Sequence, residues 1–425
     1  MKSLASELSN LAAGAAQRPT GTDWPAVVLV TGAGVVSAFQ FGKPSIALPA
    51  LQASLGIGIA SVSWLLSAFA LVGATLGLWI GLRVDAWGAR RVLLAGLATQ
   101  AAASALGGLA VSFPWLFASR VVEGVGFLAV VVAGPALVHE AARPRRRDRA
   151  FALWGTFMPV GMGALMLVAP LLEPLGWRAL WMANAALLAI YAALLVVFTR
   201  HGGAPPAGRL PGGPRVSGAP ARDPAQVSGL RRVLALRGPW LVAGLFIAFS
   251  SMFFSVFTFL PTILEGRLGV APGAIGPLSA IAVLMSAVGT LACGVLLGRG
   301  LAPLPLLATG FAVMGIASPG VLLPAVPPGV SYAAALLMSL VSGLVPVILF
   351  AAAARHAPGQ AQVGTTMGMA MQGNNLGLLI GPAAAGAIVQ RWDWPWVAGW
   401  VGLLGLIALV LTRAMRRPVR PRQPK

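Results

Sequence analysis

Read for its apolar and polar positions, the chain is a succession of long apolar runs separated by short polar gaps. Twelve runs stand out. The first six lie at roughly 25–48, 60–81, 92–111, 115–138, 151–172 and 177–198; the second six at roughly 240–263, 274–297, 303–323, 330–354, 364–388 and 395–414. Each approaches the ~20 apolar residues that an α-helix needs to cross a bilayer. Glycine and proline are scattered through them, which suits membrane helices better than soluble ones. No ten-residue alternating pattern recurs, as an outer-membrane barrel would require. The pattern predicts an all-α membrane protein with twelve transmembrane helices. One long polar gap, residues 199–238, is dense in Pro, Gly and Ala and reads as a flexible linker. It divides the chain into a six-helix bundle over 24–198 and a second over 239–415, with tails at 1–23 and 416–425.

Composition agrees. Only 9% of residues are charged and 58% are hydrophobic, with a mean hydropathy of +0.85, whereas a soluble domain carries about 25% charged residues. The net charge of +20 invites a nucleic-acid reading, but the arginines are confined to gaps between apolar runs, and no nucleic-acid partner is expected. Their placement predicts orientation instead. With the amino terminus in the cytoplasm, 25 of the 30 lysines and arginines fall on the cytoplasmic side, as insertion favours. Both tails and the linker are then cytoplasmic, and the protein sits in the inner (plasma) membrane. The single Cys293 and the scattered His139, His201 and His356 give no metal spacing. No metal or cofactor is expected. Residues 1–23 lack the apolar core of a signal peptide.

The two halves are related. An offset of 212 residues aligns Leu66-Ser67-Ala68 with Leu278-Ser279-Ala280, Ala70 with Ala282 and Gly77 with Gly289. The same offset aligns Pro170 with Pro382, in the fifth and eleventh runs. Parallel repeats at half the chain length predict two bundles related by a pseudo-two-fold axis.

The gap between the second and third runs reads GLRVDAWGARR, Gly81 to Arg91. Glycine serves a chain that must reverse within about ten residues, and an aspartate can cap a helix start and meet its positive dipole end. Twelve spans with this loop resemble the major facilitator superfamily. Gly81, Asp85, Gly88, Arg90 and Arg91 match that family's loop pattern; Ala86 and Ala89 depart from it, where basic residues are usual. The resemblance implies a conformational gate in which Asp85 meets the eleventh helix, in the opposite half. The plainer reading is that Asp85 caps the third helix.

The fourth run carries RVVEGVG, which resembles the family's fourth-helix motif. Arg120 and Glu123 are three apart and share a helix face. Charge at this depth normally faces the protein interior or a wet cavity. Glu123 is the one carboxylate placed well inside a run, and so the candidate proton-coupling residue; the alternative is a neutralised packing pair. In the first run Gln40 and Lys43 lie in the outer half. Lys43 either snorkels to the interface or faces the central cavity and attracts an anion. In the eleventh run, QGNNLGLLIGP, the amides of Gln372, Asn374 and Asn375 must find partners: substrate, or a neighbouring helix. Asn374 and Asn375 cannot point the same way. Gln40, Lys43, Arg120, Gln372 and Asn374 are the expected substrate-binding residues. The segment APLLEPLGWR lacks the family's antiporter pattern, with Ala169 where glycine is usual and Glu173 following, which argues against a drug/proton antiporter; Trp177 and Arg178 read as an interfacial anchor. RVVEGVG and the LGWR turn are similar to cyanate and nitrate/nitrite-type porters.

The expected function is secondary active transport of a small solute, an anion, by alternating access, coupled to protons in symport and carried out by a monomer. The alternative is efflux of hydrophobic compounds. A polytopic enzyme would need paired acids, a His cluster or an activated nucleophile inside the runs, and a sensor would need a soluble domain; neither is present in the sequence. No GxxxxGK[ST] loop occurs.

Overall fold

The computed structural model describes residues 22–56, 59–172, 175–201 and 224–415. Residues 1–21 and 416–425 of the expected tails, most of the linker and Glu173 lie outside them. Helices α1 (Trp24–Ile46) and α2 (Leu48–Leu55) make the first span, and α3 (Ile59–Trp87), α4 (Ala89–Gly108) and α5 (Phe113–Ala141) the next three. The fifth is α6 (Arg147–Gly155) with α7 (Phe157–Leu172), and the sixth is α8 (Gly176–His201). After the short α9 (Pro224–Ala235), the second half runs through α10 (Arg237–Phe257) with α11 (Leu260–Gly266), then α12 (Pro272–Gly298) and α13 (Pro303–Leu322). It ends with α14 (Pro328–Ser342) and α15 (Leu344–His356) as one span, α16 (Val363–Arg391) and α17 (Trp394–Met415). The described residues thus give twelve spans in two six-helix bundles.

Four spans are broken rather than continuous, and proline explains three of the breaks. A proline ring clashes with the carbonyl four residues earlier and supplies no N–H to it. Helix α6 ends at Gly155, α10 at Phe257 and α14 at Ser342. Each of these is four residues before a proline: Pro159, Pro261 and Pro346.

Among the described residues, ten helical stretches are long and apolar enough to cross a membrane. The two spans that fall short are α4 and α16, whose polar residues include Gln100, Ser104, Thr365 and Gln372. Both are packed against protein: α4 lies along α5 and α8, and α16 lies between α3 and α10. Large apolar side chains such as Ile190, Ile316 and Leu406 face outward, where lipid is the solvent. The repeat is visible in the helix bounds. Shifted by 212 residues, Ile59–Trp87 of α3 falls within one residue of Pro272–Gly298 of α12 at each end.

The bundles meet where α3 packs on α16 and where α6 and α7 pack on α12. The first contact is backbone to backbone. A Cβ on Gly81 would lie 2.5 Å from the Gly364 carbonyl oxygen, and one on Gly368 would lie 2.3 Å from that of Gly77. Only glycine permits this approach.

The predicted linker is not wholly irregular. Its last third is the helix α9, packed at the Asp85 end of the molecule. Val233 there is fully buried with Ala243 of α10, Met369 of α16 and Leu78 of α3, so α9 touches both bundles. Trp177 also departs from expectation. It is not an interfacial anchor but is buried on α8, donating from Nε1 to Ser54 Oγ at 2.8 Å and lying edge-on to Trp181.

Candidate functional site

Three constellations carry the chemistry. The first is a cavity between the bundles, to which spans one, four, five, seven, eight, ten and eleven contribute. Its wall is aromatic. Phe41 and Phe127 come from the first bundle; Phe246, Phe249, Phe253 and Phe350 come from the second. Residues 246, 249 and 253 share one face of α10 because they recur at three- and four-residue intervals. Met158, Met162 and Met371 fill the remaining gaps with flexible thioethers. The polar part is small: Ser286 and the amides of Asn374 and Asn375. Asn374 Oδ1 accepts from Ser250 Oγ at 2.5 Å, and Asn375 Nδ2 donates to the Met371 carbonyl at 2.8 Å.

The second constellation is a sealed charge cluster inside the first bundle. Lys43, Arg120 and Glu123 are 0%, 1% and 0% exposed. Lys43 Nζ donates to Glu123 Oε1 at 2.9 Å and to Ser104 Oγ at 2.7 Å. Arg120 donates to Glu123 Oε2 and, at 3.0 Å, to the Gln40 carbonyl. Ser104 Oγ in turn donates to the Trp181 carbonyl at 3.1 Å. Two cations thus share one carboxylate, each on a different oxygen, at a depth where an unpaired charge would be costly. Arg120 also stacks on Phe69, 4.0 Å from the ring centroid, and Lys43 lies 4.7 Å from the Trp181 ring.

The third is the contact at Asp85. Its carboxylate accepts from the backbone N–H groups of Gly364 and Thr365, both at 2.7 Å, and from the Thr365 hydroxyl. These are the first turns of α16, where unpaired N–H groups and the dipole favour an anion. Asp85 therefore reaches the eleventh span and does not cap α4. Gly88 is the residue that starts α4, with φ +87°, a conformation L side chains rarely adopt. Arg90 and Arg91 are exposed on the first turn of α4.

The expected substrate residues separate. Asn374 lines the cavity. Lys43 takes neither of the positions foreseen for it; it points into its own bundle, away from both the interface and the cavity. Arg120 and Gln40 are buried in the same cluster. Gln372 ties α16 to α3, donating to the Ala74 carbonyl at 2.7 Å. The phenylalanine wall was not foreseen. One signal was available: α10 holds five of the 17 phenylalanines in the chain.

Comparison with known proteins gives a consistent family. The family model described as the Major Facilitator Superfamily matches residues 30–371 and 333–425. The chain is 33% identical over 193 residues to a puromycin resistance protein of Streptomyces alboniger, an alignment covering 44% of this chain and 38% of that one. It is 34% identical over 167 residues to the cephamycin export protein CmcT of Amycolatopsis lactamdurans, covering 39% and 34%. The chain therefore spans only 38% and 34% of the length of these two relatives. They lend no support to a cyanate or nitrate-type subgroup. The solved structure of the proton:xylose symporter XylE with 6-bromo-6-deoxy-D-glucose aligns with a TM-score of 0.71, covering 93% of this chain and 96% of that one. At 12% identity that likeness concerns the fold alone. With the twelve-span double bundle and a family model that covers most of the chain, this protein belongs to the major facilitator superfamily and has its multi-pass membrane fold.

Proposed function

We propose that the protein exports hydrophobic compounds across the plasma membrane in exchange for protons, working as a monomer. The observation that carries this is the phenylalanine-rich cavity between the bundles. The bundles over 24–198 and 239–415 rock about it, joined by a cytoplasmic linker at 199–238, with both termini in the cytoplasm. The arginine distribution supports that orientation. Asp85 on α16 latches the cytoplasmic side shut, and the resistance and export roles named for the two curated relatives agree with outward traffic. An anion is the weaker reading, because Lys43 and Arg120 spend their donors on Glu123 and are sealed from the cavity.

Proton exchange is assigned to Glu123, a fully buried carboxylate within a span. A proton there would displace one of its two cationic partners and loosen α1 from α5.

Everted vesicles should accumulate the uncharged dye N-phenyl-1-naphthylamine only while a proton gradient is maintained. Phe253→Ala should weaken apparent affinity about tenfold, the scale of one lost aromatic contact. The double variant Lys43→Met, Glu123→Gln keeps the net charge of the cluster. It should still bind dye but lose gradient dependence. Uptake in the opposite direction would overturn export, and gradient-driven accumulation by the double variant would overturn the assignment of Glu123.

A further inference from the structure

Among the described residues, the cavity wall holds no ionisable side chain. Of its 20 lining residues, from Phe41 to Leu378, none is Asp, Glu, Lys, Arg or His. The charge cluster lies close behind it, yet a layer of aromatic rings intervenes. Phe69, on which Arg120 stacks, has its ring centroid 5.4 Å from that of Phe41 and 5.8 Å from that of Phe127; those two are 5.1 Å apart. Phe41 and Phe127 face the cavity. Three interlocked rings therefore stand between Arg120 and the cavity, and a solute there would meet only neutral dipoles and π-faces.

An anion entering such a space would lose its hydration and face the negative π-surfaces of the rings; a cation would regain from those surfaces only a small part of the hydration it loses. The available polarity is that of the amides. Asn374 uses Oδ1 on Ser250 and keeps its NH2 to donate, while Asn375 uses Nδ2 on Met371 and keeps Oδ1 to accept. Between them they leave one donor and one acceptor on different sides of α16, for the Asn375 amide lies against Gly73 of α3.

We infer that the cavity selects solutes in their uncharged form: its class is neutral aromatic compounds with one hydrogen-bonding edge, and organic cations and anions of similar size are rejected. This rests on the export reading above and narrows it.

The test uses three dyes with the full-length protein in proteoliposomes. N-phenyl-1-naphthylamine is neutral, with one N–H. 1-Anilinonaphthalene-8-sulfonate is the same skeleton with a sulfonate added. Ethidium is a permanent cation. The expected result is transport of the first at least tenfold faster than either of the others. Asn374→Asp retains the acceptor that Ser250 uses and places a carboxylate in the wall. It should raise ethidium transport at least tenfold and slow the neutral dye. If the unaltered protein carries ethidium or the sulfonate as fast as the neutral dye, charge selection falls and export stands. If Asn374→Asp gains no ethidium transport, the uncharged wall is not the cause of selection and the inference falls. If no dye moves in any variant, both readings fall together.

Discussion

Removing one member of the Lys43–Glu123–Arg120 cluster has a different cost according to which charge goes. Lys43→Met leaves Arg120 and Glu123 as a neutral pair. Glu123→Gln leaves two buried cations facing one amide. Breaking a buried pair from one side costs about 3–5 kcal/mol, so Glu123→Gln should lower the thermal unfolding midpoint in detergent well below that of Lys43→Met. Equal midpoints would mean that the cluster is not held by charge balance. The Arg120–Glu123 half of this site is legible in sequence, because a spacing of three on a helix makes neighbours. Lys43 is not. Its direction depends on how α1 is rotated against α5, 80 residues away, and no local pattern encodes that. The same holds for the amides of α16. Spacing tells that Asn374 and Asn375 diverge, but the closeness of α3 decides that Gln372 becomes a helix tie.

Among elements, the pair α3 and α16 is tightly constrained. Their backbones touch at Gly81 and Gly368, and Asp85 then reaches the first N–H groups of α16. Gly368→Ala inserts a methyl group where a carbonyl oxygen already stands. It should wedge this end open and cut transport more than tenfold. Cysteine accessibility of residues on α16 near Gly368 should rise at the same time; unchanged accessibility would count against a gate here. The spans themselves were legible, since any helix in lipid must be apolar for about 20 residues. Their interruptions were legible too, in the prolines at 159, 261 and 346, although a hydropathy reading passes over them. Helix α9 was hidden in a segment rich in Pro and Gly, because its order comes from Val233 finding a pocket formed by both bundles.

For the molecule as a whole, charge distribution sets the arrangement in the membrane. With Cys293 replaced by Ser, Arg91→Cys should react with an impermeant maleimide only from the cytoplasm, and Trp396→Cys only from outside. The reverse pattern would invert the orientation. The double-bundle architecture was readable from the repeat at 212 residues, but the cavity was not. It belongs to no single span; seven spans from both halves each contribute one edge.

The burial of Lys43 bears on how this chain is made. Glu123 is translated 80 residues after it, so the first helix leaves the ribosome with a lysine that has no counter-ion. Until the fourth helix arrives, that helix would be poorly held in the lipid phase. Insertion of the first bundle should then be collective, with the first helix settling in the bilayer only once the fourth supplies Glu123.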